Sequence, residues 1–285
     1  MTAQTIVSRQ FSQRTAFGLL TLSMAVVVIP ILFIIVYIII NGAGALSWEF
    51  LTQSPSQAGK AGGIFPAIIG TFFLMLGTLL FSLPVGVLAA IYLTEYARLN
   101  WLTRLINMAI LNLAGIPSIV YGLFGLGVFV LMMKFGMSLL AASLTLACQA
   151  LAMTITTSRE AILAVPREYR EGSLALGSTK WQTIRHVVLP QSLPGVITGA
   201  ILAMSRAAGE TAPILVVGAA FFMPGLPQSP FDQFMALPYY LYTTAAHVPG
   251  MPKVTMWGVA LVLLMVVLSF NLLATFIRLR VRQRR

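Results

Sequence analysis

The sequence predicts an all-α integral membrane protein of six transmembrane helices, and three observations carry that prediction. Hydrophobic residues make up 58% of the 285 and charged residues only 9%, with a mean hydropathy of +0.91. A soluble domain instead carries about 25% charged residues. The apolar residues also come in blocks of about twenty or more, longer than a soluble core of this size can bury. Finally, the basic residues that give the net charge of +11 sit at the ends of these blocks, as topology signals do. They form no amphipathic basic surface with interleaved aromatics, so nucleic acid is not an expected partner.

A hydrocarbon core of about 30 Å needs roughly 20 helical residues, which places spans over 17–40, 66–93, 108–131, 137–157, 194–220 and 254–277. The first is uncharged from Phe17 to Ile40. That is longer than the 7–15 apolar residues of a signal peptide, so the span is expected to be retained. The second and fifth are long enough to tilt, or to bend at Pro84 and Pro213. The expected organisation is a tail over 1–16, a permease domain over 17–278 and a basic tail over 279–285.

Six spans put both termini on one side. The 1–16 tail holds Arg9 and Arg14, and the 94–107 loop holds Arg98 and Arg104. The 158–193 loop holds Arg159, Arg167, Arg170, Lys180 and Arg185, and the C-terminal tail Arg278, Arg280, Arg282, Arg284 and Arg285. Opposite them stand only Lys60, Lys134 and Lys253. The rule that positive loops stay inside therefore predicts that both termini are cytoplasmic. Two long loops, 41–65 and the proline-rich 221–253, then face outward. Either is readable as a docking surface or as a cap that joins spans.

The 158–193 loop reads as two short helices. Pro166 suits a first turn, Gly177 a left-handed stop, and Ser178 or Thr179 an N-cap. Trp181, Ile184 and Val188 recur at helical spacing until Pro190 and Pro194 end the second helix. Gly172 and Gly177 begin like a phosphate-binding loop, but Ser178 stands where its lysine belongs, so no ATPase site is expected in this chain. The pattern fits a docking element for a partner or an amphipathic pair at the interface.

The fifth span carries charges deep inside. Arg206 lies 12 residues past Pro194, about 18 Å along a helix and near mid-membrane. An arginine there costs at least about 2.5–3.5 kcal/mol unless it faces protein, water or a partner. Glu210, four residues on, can pair with it. At about 100° per residue both fall on the arc of Gly195, Gly199, Ala203 and Ala207. The pair reads either as packing glue or as a pathway element that attracts an anion. On the third span Gly115, Ser118, Gly122 and Gly125 share one arc, which either lines a pathway or packs closely. Arg159 is an inside anchor or a contact for a departing anion. Cys148 is single and His186 and His247 have no ligand-spaced partners, so neither a disulfide nor a metal site is expected. No nucleophile and base pair supports an enzyme, and no duplicated half supports a secondary transporter.

Two sets of residues resemble known permeases. In the 158–193 loop, Glu171, Gly177, Val187, Leu189 and Pro190 fall at the spacings of the EAA loop of ABC-importer permeases. Gly172 and Ser173 stand in place of its two alanines, both still small, though Gly172 weakens the helix by about 1 kcal/mol. The run Arg206-Ala207-Ala208-Gly209-Glu210-Thr211-Ala212-Pro213 resembles a stretch of the phosphate-specific (Pst) importer permeases. So do Gly115 to Leu123, Leu83 to Gly86 and Tyr92 to Tyr96. The segment Val-Pro-Arg-Glu-Tyr-Arg-Glu-Gly is closer to the A-type (PstA-like) subunit.

This resemblance implies a type I ABC importer permease (MetI-like) fold with a coupling helix, in a bacterial inner membrane. It implies a phosphate channel that carries no cofactor of its own and works with a second homologous permease, an ATPase dimer that binds ATP, and a periplasmic or lipid-anchored phosphate-binding protein. Arg206, Glu210, Ser118 and Arg159 would line the pathway. Glu171, Gly172, Ser173, Gly177, Leu189 and Pro190 would meet the ATPase. An importer of another oxyanion, such as sulfate or molybdate, is the alternative.

Overall fold

The computed structural model describes residues 3–98, 100–223 and 225–282. Arg284, Arg285 and Pro224, which entered the charge and loop arguments, lie outside the described residues. The chain is helical almost throughout, as it must be where lipid offers no partner to the backbone.

Helix α1 (Ala3–Gly42) runs unbroken through Pro30. A short α2 (Trp48–Thr52), capped by the Ser47 hydroxyl, leads to a two-residue antiparallel pair, β1 (Pro55–Ser56) with β2 (Ala61–Gly62). Helix α3 (Phe65–Ile91) contains Pro84 without breaking and ends in a π-helical turn, Tyr92–Tyr96. Helices α4 (Trp101–Leu113) and α5 (Ser118–Gly125, prolonged by a π-helical stretch Leu126–Met132) meet at 105°. Then follow α6 (Leu139–Leu163), α7 (Arg167–Ala175) and α8, which is helical from Lys180 to Ala208. Helices α9 (Ala212–Val217), α10 (Leu237–Ala246) and α11 (Lys253–Arg282) complete the chain. Among the described residues five helices are long and apolar enough to cross a membrane, or six if the bent α4–α5 pair is one span.

Helix α6 is the central post. It packs on α3, α5 and α8, while α11 covers α8 and α1 leans on α11. Small side chains set these distances. Gly195 of α8 sits on Ala161 of α6, where an added Cβ would stand 2.6 Å from the alanine methyl, and Gly199 sits against Thr157 in the same way. The hydroxyls on buried faces, Thr71, Thr78 and Thr145, donate to the carbonyl four residues back at 2.7–2.8 Å, so burial leaves them satisfied. Leu19, Leu20, Ile29, Phe33 and Ile40 of α1 are more than half exposed, an apolar surface that only lipid or a partner subunit can cover.

The structure corrects the sequence reading in three places. The predicted third span, 108–131, does not exist as one helix. Pro117 has no amide hydrogen and forces Ile116 away from helical angles, so α4 stops at Leu113 and α5 starts at Ser118. The fifth span begins at Lys180 rather than 194. Pro190 and Pro194 do not end the helix because the π-helical stretch Ile184–Val188 precedes them, an adjustment that re-satisfies backbone groups freed by proline. That same helix ends at Ala208, not at 220, and restarts as α9.

The 221–253 loop is a packed cap. Phe234, Met235, Leu237 and Tyr240 are buried to 1% exposure or less. Leu237 N–H donates to Thr71 Oγ1 at 2.8 Å, and Leu139 and Leu140 N–H donate to the Asp232 and Pro230 carbonyls at 2.9 and 2.8 Å. Burial pushes the Tyr240 phenol up to about 12, so it stays protonated and donates to the Gly59 carbonyl at 3.3 Å. The cap therefore ties the two long loops to the N-terminal ends of α3 and α6.

Candidate functional site

The first site is built where two helices break. Helix α8 ends one residue before Gly209, and the amides of Gly209 and Glu210 turn back to the Arg206 and Ala207 carbonyls at 3.1 and 3.2 Å. Arg206 thus occupies the last turn of α8, where the helix dipole favours a cation, and Glu210 lies just beyond it. Their side chains pair at 3.6 Å, Nε to Oε1. Gln149 of α6 donates from Nε2 to the same Glu210 oxygen at 2.7 Å. Gln149 stands near the middle of the 25-residue α6, so the pair lies beside mid-α6, at a helix end instead of within a helix.

The two charges face differently. Glu210 is 16% exposed and Arg206 61%. The arc of small residues to which both were assigned divides in the structure: Gly199, Ala203 and Ala207 pack against α6 and are buried, while the guanidinium projects from the flank of that face. Beside α6, the pair lines a small open recess of about 20 Å³ with Leu146, Gln149, Met153 and Ala203.

The second break, between α4 and α5, adjoins the first. Gly122 of α5 lies on Pro213 of α9, where an added Cβ would stand 2.9 Å from the proline Cα. Gly125 packs on Thr145 of α6 in the same manner. Of the two readings of the third-span glycine arc, close packing therefore accounts for Gly122 and Gly125. Ser118 sits, partly buried, in the first turn of α5. The Tyr121 hydroxyl bridges the break by donating to the Leu113 carbonyl at 2.8 Å. Non-helical backbone at membrane depth persists only where protein or a water-filled cavity surrounds it. Arg159 is apart from the pair, near the C-terminal end of α6, where its NH1 donates to Asn107 Oδ1 of α4 at 2.8 Å.

The second site is the 158–193 loop, and here the local signals produce the expected turn. Pro166 precedes α7, Gly177 takes φ +82°, and Thr179 caps the next helix through a reciprocal box with Gln182. Ser173 Oγ meets Thr183 Oγ1 at 2.9 Å and closes the two helices on each other. Glu171 and Gly172 are exposed, with open space above Gly172. Leu189 is partly buried and Pro190 exposed, three turns away along α8. Around the turn Leu176 is 90% exposed, and Tyr169, Leu174 and Trp181 are about half exposed. Ile184 and Val188 face inward onto Ala90, Ile91, Ile162 and Val165.

Sequence reasoning missed Gln149, Asn107 and Glu95. Gln149 had a readable signal, a lone amide in an apolar span. Asn107 and Glu95 had none, because their partners lie 52 and 75 residues away.

Residues 82–284 match the family of binding-protein-dependent transport system inner membrane components. A probable ABC transporter permease protein, YqgI, of Bacillus subtilis is 32% identical over 95% of this chain and 96% of its own. The phosphate transport system permease protein PstA 1 of Mycobacterium tuberculosis is 32% identical over 92% of this chain and 87% of its own. A bacterial alginate ABC transporter, solved with an alginate pentasaccharide-bound periplasmic protein, superposes with a TM-score of 0.68 at 14% identity, covering 98% of both chains. The inward-facing MetNI methionine transporter gives 0.60 at 20% identity over 76% of this chain and 97% of its own.

Proposed function

Because the chain belongs to the family of binding-protein-dependent transport system inner membrane components, we propose that it is the channel-forming subunit of an ABC importer for inorganic phosphate. The observation that carries this reading is the Arg206–Glu210–Gln149 cluster at mid-span, flanked by two broken helices, with its guanidinium turned out of the chain. The pathway runs between this chain and a second, homologous permease. Arg206 meets the anion, while Glu210, held by Gln149, balances the charge when the site is empty. Ser118 lies beside the path at the neighbouring break, and Arg159 at its inner end. Both termini are cytoplasmic.

Glu171, Gly172, Ser173 and Gly177 present the turn to a separate ATPase, which binds the nucleotide. Leu189 and Pro190 carry the motion into α8. A phosphate-binding protein docks on the outer cap. In alternating access, ATP binding closes the motors and their opening after hydrolysis reverses the movement. No bond of the substrate changes in this chain.

Arg206→Gln tests the pathway role, because it removes the charge and keeps most of the bulk. The expected result is loss of phosphate uptake with the permease pair and ATPase still co-purifying. Wild-type uptake by that variant would contradict the role given to Arg206.

A further inference from the structure

One charged cluster lies at the base of the second site, on the side away from its exposed turn. Glu95 closes the π-helical turn at the end of α3, and its carboxylate accepts from Arg170 Nε of α7 at 3.2 Å. The remaining donors of Arg170 reach the end of α6. Its NH2 donates to the Ile162 carbonyl at 2.7 Å and its NH1 to the carbonyls of Val165 and Pro166. The guanidinium thus caps the last turn of α6, where the carbonyls lack helical partners. Lys180, the first residue of α8, donates to the Glu95 main-chain carbonyl and lies 5.0 Å above the Tyr96 ring. Four helices, α3, α6, α7 and α8, meet at this one node.

Arg170 and Glu95 are 18% and 13% exposed, so the pair is not a solvent-screened surface bridge worth almost nothing. The apolar cluster of Ala90, Ile91, Ile162, Val165, Ile184 and Val188 lies among the same helix ends. Neighbours in sequence face opposite ways: Glu171 is exposed, whereas Arg170 turns inward. The outward surface of the turn is free to be pushed, and the inward side is bolted to α3 and α6.

We infer that the Arg170–Glu95 pair is the joint that passes displacement of the 158–193 turn into α3 and α6. Both are positioning residues, since neither touches substrate or nucleotide. Helix α6 carries Gln149 and through it holds Glu210, so a tilt of α6 reaches the mid-span cluster without a separate relay. The inference rests on the reading of this chain as a permease driven by a separate ATPase.

The test uses the full complex in vesicles and measures phosphate moved per ATP hydrolysed. Glu95→Gln keeps the shape and one hydrogen bond while removing the charge. It is expected to leave ATPase co-purification and basal hydrolysis intact and to lower the transport ratio about 5-fold or more, the range of a coupling free energy. Arg170→Met is expected to lower it similarly, with the double variant no worse than the worse single one, because both act through one contact. An unchanged ratio in Glu95→Gln would overturn the inference. Losses that multiply in the double variant, or an ATPase that no longer co-purifies with Glu95→Gln, would do the same. A wild-type complex whose hydrolysis ignores phosphate and binding protein would overturn the transport reading and this inference together.

Discussion

Single residues at the site are explained by what burial demands of charge. Arg206 is tolerated because it lies in the last turn of a helix and pairs with Glu210, each of which lowers the cost of a membrane-buried cation. Its partner is readable from the four-residue spacing, but the depth count from Pro194 starts inside a helix that begins at Lys180. Its position at a helix end is signalled by Gly209 and Pro213, but the apolar block around them reads as one continuous span. Gln149 is the residue on which the geometry depends most. Its amide fixes the Glu210 carboxylate at 2.7 Å, and a hydrogen bond to a charged group is worth about 1.5–3 kcal/mol. Gln149→Leu is expected to lower the thermal midpoint of the purified protein by about 2–4 °C per kcal/mol lost and to weaken phosphate uptake. An unaltered midpoint together with unaltered uptake would remove Gln149 from the site.

At the scale of elements, legibility followed the locality of the signal. The turn between α7 and α8 was read correctly because Pro166, Gly177 and Thr179 act within a few residues of themselves. The broken helices were misread for the complementary reason. Hydropathy counts apolar residues and is blind to direction, so α4 and α5 merged into one span although they meet at 105°. Pro190 and Pro194 were read as stops, and only the π-helical stretch before them lets α8 continue. The turn itself carries a prediction. Its exposed Leu176 and Trp181 and the outward Glu171 make a surface suited to a partner. Glu171→Ala is expected to uncouple or release the ATPase, measured by co-purification and by transport in the same membranes. Unchanged co-purification with unchanged transport would show that the turn does not depend on Glu171.

At the scale of the whole molecule, composition and charge placement predicted the membrane class without any motif, and the helical architecture agrees. Helix α6 lies between α3, α5 and α8, with the mid-span cluster on its flank, an arrangement that hydropathy alone does not give. The packed cap over 221–253 was not legible beyond its prolines, because its partners, Thr71, Leu139 and Leu140, belong to distant helices. The molecule is layered by depth, with an exposed turn at one end, a charged cluster between broken helices in the middle and a tied cap at the other end. The most direct measurement reconstitutes the chain with its partner permease, ATPase and binding protein and compares phosphate with sulfate as the stimulant of ATP hydrolysis. The account predicts stimulation by phosphate, lost in Arg206→Gln; stimulation by sulfate alone would contradict it.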